Sequence, residues 1–362
     1  MKITRIQLYI VNVPERRWWW SDDTYGQPYH QRAEHGIAEV ETDQGLIGLT
    51  QIERFTPLDT MSSTLQSWVG RDLRLVELAQ AQGPMGASFE QAVLDLRGQA
   101  LGLPVWQLLG GRLRERIPVT QCTGYKTPQH TAEDAQWGWE RGFRTYKMKC
   151  ITEAEKTPEA RLRYVTERVE AIHRVLPEMA VRPDLRWRLE EVWVAQELAH
   201  RLQGHAIECL ESPIAKGRAN SLVEWRRLRQ TIQLPIADHV GAAEELVRRS
   251  QGEGLDYAIV GAASYLETVH QSRLAHSLGL GGWSQTVAYG PGAAMGLHVA
   301  ACMPNLTQPY DMVGPIAWEH DLTNEDFPFV DGCFAVPERP GLGYTLDHAA
   351  VKKYLVQEKV FT

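Results

Sequence analysis

From Ile117 onward the chain alternates short apolar runs with amphipathic stretches of helical period, and this rhythm limits the fold more than any other feature. The runs read as strands over 119–123, 143–149, 180–183, 206–210, 234–237, 257–260 and 281–283. Helical patterns over 130–141, 161–176, 190–203, 222–230, 243–251 and 266–278 separate them, and a helix over 292–302 leads to a last strand near Leu306. About eight strands alternating with helices at this pitch predict a parallel α/β barrel rather than an open sheet. In such barrels chemistry is placed at the carboxyl ends of the strands.

The segment before the barrel follows another pattern. Residues 2–11 and 36–42 alternate with period two, Asp43-Gln44-Gly45 supplies a turn, and 46–52 continues the pattern, which predicts an antiparallel sheet. Helical patterns follow over 60–82 and 88–109, the second opening on a Ser88-x-x-Gln91 capping box and ending at Gly110-Gly111. Between the first two strands runs Trp18-Trp19-Trp20-Ser21-Asp22-Asp23-Thr24-Tyr25-Gly26, polar, aromatic and without regular period. Such a loop either carries function or packs its aromatics on a neighbouring domain.

A chain of 362 residues, 43% of them hydrophobic, has enough material for two domains or for one barrel with an added domain. A net charge of −7 argues against a nucleic-acid partner. The absence of an 18-residue apolar run argues against a membrane-spanning helix. Met1-Lys2-Ile3-Thr4 alternates like a strand and has no signal-peptide character, and the five scattered cysteines suit reduced thiols. A cytoplasmic protein is the expectation.

The strand ends hold the chemistry. In Tyr146-Lys147-Met148-Lys149 the two lysines project from one side of a strand, because side chains alternate. Two cations on one side form a clamp for a carboxylate. Either becomes a base if burial or its neighbour lowers its pKa. Asp184 closes the third strand, Glu211 the fourth, and Asp238-His239 the fifth. Acids on three consecutive strands make an oxygen-rich site of the kind that suits Mg²⁺.

At this point the chain resembles the enolase superfamily, in the broad mandelate racemase and muconate lactonizing branch. The resemblance rests on the stretches 40–48 and 92–111 before the barrel, and within it on Lys147-Met148-Lys149, Glu211-Ser212-Pro213 and Gly296-Leu297-His298-Val299-Ala300-Ala301. Asp331-Gly332 and Pro340-Gly341-Leu342-Gly343 complete it. It implies a (β/α)7β barrel over 116–330, beneath an α+β capping domain built from 1–115 and the returning tail 331–362. It also implies removal of a proton α to a carboxylate, with Mg²⁺ stabilising the enediolate. Lys149 then corresponds to the base, and Lys147 to the neighbour that lowers its pKa and holds the carboxylate. Asp184 and Glu211 correspond to the first two metal ligands. The Trp18–Gly26 loop resembles the mobile capping loop that sets specificity, with Trp19, Trp20 and Tyr25 as substrate contacts. A homo-oligomer is implied as well.

Several positions depart from that pattern. Asp184-Leu185-Arg186 stands where Asp-x-Asn is usual, so Arg186 either grips a substrate carboxylate or repels the metal. The usual third ligand lies five residues past the proline of the fifth strand. Counted from Pro235 that position is Val240, which leaves Asp238 and His239 as the candidates. The sixth strand ends at Gly261 and the seventh at Gln285, neither able to exchange a proton, which argues against a two-base racemase. Gln285 remains a substrate contact. His239 or His320 is available to protonate a leaving group, Glu319 resembles the strand-eight glutamate that bonds substrate carboxylates, and His298 reads as a core histidine.

The expectation is a Mg²⁺-dependent lyase that dehydrates a small hydroxy-carboxylate or sugar acid. A racemase, epimerase or cycloisomerase of the same superfamily, or a barrel that has lost catalysis, are the alternatives.

Overall fold

The computed structural model describes residues 1–16, 34–53, 56–78, 83–252 and 254–362. Strands Ile3–Val11, His35–Thr42 and Ile47–Gln51 form an antiparallel sheet, and the C-terminal strand Leu355–Phe361 joins its other edge with Ile6 opposite Phe361. One face of this sheet buries Ile6, Leu8, Ile10, Ala38 and Val40 against Leu65 and Trp68 of helix Leu58–Trp68 and Phe89, Val93 and Leu96 of helix Gly86–Leu101.

These helices differ from their sequence patterns at the ends. The first stops at Trp68 instead of running to 82, because Gly70 turns left-handed at φ 81°. The second begins at Gly86 after Met85, itself at φ 63°, and ends at Gly102. Ser88 is no cap: it is buried inside the helix, where its Oγ accepts the Glu53 N–H. Asp95 on the same helix accepts Leu49 N–H at 2.7 Å and Leu342 N–H at 2.8 Å, so one buried carboxylate ties the first sheet to the returning tail. Burial pushes its pKa up to about 6, against those two bonds.

The barrel has the expected parallel sheet. Its strands are Gln121–Thr123, Thr145–Lys149, Ala180–Asp184, Leu210–Glu211, Ile236–Val240, Tyr257–Val260 and Gly281–Trp283, in that spatial order. The eighth strand is Asp311–Val313, later than expected. Leu306 contributes only a single bridge to Gly282, because Pro304 and Pro309, without N–H groups, delay a regular ladder. Gln285–Val287 pairs with this strand, and Tyr310 bridges to Val119, which closes the ring. Short strands Phe329–Val330 and Cys333–Ala335 then pair with Arg116–Pro118. All five cysteines are free thiols, and no helix among the described residues is long and apolar enough to cross a membrane.

Candidate active site

Parallel pairing sets Lys149 beside Asp184 and Asp184 beside Glu211 at the carboxyl ends of three neighbouring strands. Since Met148 points the other way, Lys147 and Lys149 share the interior side, at different depths. The Lys147 side chain is 1% exposed and that of Lys149 25%.

Lys147 Nζ donates to Asp311 Oδ2 at 2.6 Å and Glu211 Oε1 at 2.7 Å, and lies 3.5 Å from Asp184 Oδ2. Burial alone would strip its proton, but Asp311, Glu211 and Asp184 outweigh burial and hold its pKa well above the ordinary lysine value. Lys149 Nζ is hydrogen-bonded to Asp184 Oδ2. Burial and Lys147 lower its proton affinity, yet the attraction of Asp184 is stronger and the net shift is upward. Lys147 therefore does not leave Lys149 with a depressed pKa: while Asp184 faces it, Lys149 stays an ammonium. Asp184 in turn is held well below the usual carboxylate range, since Lys149 and Lys147 overcome its burial.

Asp311 is a central member of this network, although its sequence context marked it as nothing special. Its Oδ1 accepts from Arg182 at 2.8 Å, and its Oδ2 accepts from Trp283 Nε1 at 3.1 Å as well as from Lys147. Arg182 also pairs with Glu208 and lies over the Trp283 ring at 3.7 Å. Placing the last strand near Leu306 concealed this acid. The signal for it was an Asp directly after Pro309-Tyr310, where regular pairing becomes possible again.

The two candidates on the fifth strand separate cleanly. Asp238 faces the surrounding helices: its carboxylate accepts from Ser212 Oγ at 2.8 Å and Trp187 Nε1 at 3.0 Å, and is ion-paired to Arg249. Those three partners engage its carboxylate on the side of the strand away from Lys147 and Lys149. His239 takes the opposite side of the strand, with Nε2 3.4 Å from Glu211 Oε1. Glu211 is fully buried, and its Oε2 has no hydrogen-bond partner.

Among the described residues no three His, Cys, Asp or Glu side chains already close around one point. The donor chemistry nevertheless fits a divalent cation. Asp184 and Glu211 are adjacent, His239 faces Glu211, and a buried carboxylate oxygen without a donor is costly unless a positive partner reaches it. A bound cation would take over carboxylate oxygens that the two lysines now hold.

The remaining predicted positions are scattered. Arg186, in the left-handed region at φ 51°, donates its backbone N–H to Asp184 Oδ1 at 3.3 Å, and its guanidinium bonds the Tyr125 hydroxyl just beyond the first strand. Gln285 is exposed and paired in register with Asp311. Gly261 is exposed, and a side chain placed there would meet no atom within 4 Å. Glu319 is exposed beyond the last strand, where its backbone N–H bonds Pro14 O and its charge acts on Lys353. The acid of the last strand at the barrel centre is Asp311. His320 Nδ1 accepts the Leu322 N–H, which leaves it in a structural role, and His298 is a buried core histidine bonded to Trp106 N–H and Leu342 O. Trp19, Trp20 and Tyr25 lie outside the described residues. The flanks of their segment are anchored near the mouth: Arg16 bonds the Ala317 and Trp318 carbonyls, and the His35 ring packs 4.4 Å from that of Tyr289.

Comparison with known proteins gives the family and the fold. The family model described as enolase C-terminal domain-like matches residues 130–350. N-succinyl-L-Arg/Lys racemase of Bacillus cereus is 24% identical over 99% of this chain and 100% of its own length. Muconate cycloisomerase 1 of Pseudomonas putida is 27% identical over 78% of this chain and 74% of its own. The crystal structure of 2-chloromuconate cycloisomerase from Rhodococcus opacus superposes with a TM-score of 0.83 at 20% identity, covering 99% of this chain and 100% of that one. With the Lys-x-Lys strand, the adjacent Asp184 and Glu211 and the closed parallel barrel all in place, the chain belongs to the enolase superfamily, in its mandelate racemase and muconate lactonizing branch.

Proposed function

We propose that this protein is a divalent-cation-dependent enzyme that removes the α-proton of a small carboxylate from one face only, with Lys149 as the base. One observation carries this reading. Lys149 has a lysine neighbour and an acid on its own side, while the sixth strand, across the barrel, ends in Gly261 without a side chain.

Lys147, buried among Asp311, Glu211 and Asp184, keeps a permanent charge that attracts the substrate carboxylate. Arg186, steadied by Tyr125, is a second anion anchor at the rim. Lys149 turns basic when Asp184 is drawn away from it, because Asp184 is what raises its proton affinity. A divalent cation held by Asp184, Glu211 and His239 would supply electrostatic stabilisation to the charge that develops on the substrate carboxylate. The family's usual cation is Mg²⁺.

Once Lys149 has taken the α-proton, it carries an acid on the same face. With a β-hydroxyl there, the C–O bond breaks, the pair left by the α-proton forms the double bond, and Lys149 returns its proton to the departing oxygen as water. This syn elimination is dehydration of a hydroxy-carboxylate or sugar acid. Cycloisomerisation is the second reading, supported by the relatives named muconate cycloisomerase, and it too needs one acid–base group. Racemisation needs proton delivery to the opposite face, where Gly261 has nothing to offer.

The test is a panel of hydroxy-acids, N-acyl amino acids and lactone-forming diacids, incubated in D₂O and followed by proton NMR. Wild type should exchange or consume the α-proton without inverting Cα, and Lys149→Ala should lose roughly 10²–10⁴-fold in rate. Inversion at Cα, or full activity in the variant, would sink the one-face reading.

A further inference from the structure

The cation site has an unusual donor set, and this follows from the fifth strand. Because side chains alternate, Ile236–Val240 can send either Asp238 or His239 to the barrel mouth, not both. Asp238 is committed to Arg249, Ser212 and Trp187 on the other side. The mouth therefore receives an imidazole nitrogen 3.4 Å from Glu211 Oε1, on the strand next to that of Glu211, which in turn pairs with the strand of Asp184. Glu211, fully buried with Oε2 unpartnered, is the independent sign that the cluster awaits a positive ligand.

We propose that Asp184, Glu211 and His239 select a first-row transition divalent ion, such as Mn²⁺ or Co²⁺, over Mg²⁺. This rests on the reading that a divalent cation occupies the site. A third carboxylate would make the protein donors all oxygen with charge −3; His239 reduces that to −2 and substitutes nitrogen. Mg²⁺ is a hard ion that depends on oxygen ligands and charge, and here it also faces the cations Lys147, Lys149 and Arg182 nearby. Transition ions recover the lost attraction through the bond to imidazole, increasingly so from Mn²⁺ to Co²⁺. His239 is well placed for this role, since its backbone carbonyl is pinned by Lys216 Nζ at 2.6 Å while its ring remains at the mouth.

The experiment uses the full chain stripped with a chelator and titrated calorimetrically with MgCl₂, MnCl₂ or CoCl₂. Wild type should bind Co²⁺ at least roughly tenfold more tightly than Mg²⁺, with Mn²⁺ between them, and the ratio should shrink in His239→Asp. Mn²⁺-loaded wild type should show ¹⁴N modulation in pulsed electron paramagnetic resonance, and His239→Ala should lose it. Equal affinity for Mg²⁺ and Co²⁺ in wild type, or absence of ¹⁴N coupling, overturns the selectivity while leaving the cation reading intact. No binding of any of the three ions, in wild type and in His239→Asp alike, overturns both. Circular dichroism checks that each variant folds, and the wild-type titrations and resonance spectrum decide the matter if one does not.

Discussion

Lys147 and Lys149 are chemically identical and two positions apart, yet their surroundings give them different work. Lys147 lies at the centre of three acids, almost without exposure, and its loss would leave the buried Glu211 without its ammonium partner and Asp311 with Arg182 as its remaining cation. Removing one partner from such a network costs about 3–5 kcal/mol. Lys147→Met should therefore unfold at markedly lower denaturant concentration than wild type in urea titrations. Lys149→Met, whose site is a quarter exposed, should shift much less and affect turnover instead. If both variants were equally stable, Lys147 would not be the structural cation that the network suggests.

Among the elements, the helix Gly86–Leu101 illustrates how one side chain links distant parts. Asp95 receives N–H groups from Leu49 and Leu342, more than two hundred residues apart along the chain. Its pKa rises from 3.8 to about 6 on folding, so the folded state holds its proton more tightly than the unfolded chain does. The stabilisation from that proton is fully present below about pH 4 and is lost as pH rises through about 6. Comparing wild type with Asp95→Asn, which does not titrate, the stability difference should move against wild type across this window, by up to about 3 kcal/mol. Urea unfolding at closely spaced pH values measures it, and a flat difference would show that Asp95 titrates as it does in water. The same scale accounts for what local patterns missed. Ser88-x-x-Gln91 satisfies the spacing of a capping box, but Ser88 is taken by the Glu53 N–H, and the helix starts earlier.

For the molecule as a whole, the two chain ends are bound into one sheet. Leu355–Phe361 covers the edge of Ile3–Val11, with partners from Ile6–Phe361 to Val11–Leu355. Deleting residues after Tyr354 should leave that edge bare and give a chain that aggregates, seen as loss of the monodisperse peak in size-exclusion chromatography. A truncated chain as soluble and as stable as the full one would show that the strand is dispensable.

Much of this architecture was legible in the residues themselves. The alternation of strand and helix, the Lys-x-Lys pair, and Asp184 and Glu211 at successive strand ends depend on period and order along the chain, which local sequence carries. Tertiary structure decided the rest: that Asp311 holds Lys147 and Arg182, that Asp238 turns outward to Arg249 while His239 turns in, and that Lys149 is held charged by Asp184. Each of these depends on a partner brought close only by closing the barrel. The strength of a buried charge, and the side of a strand it occupies, are set by what it meets there.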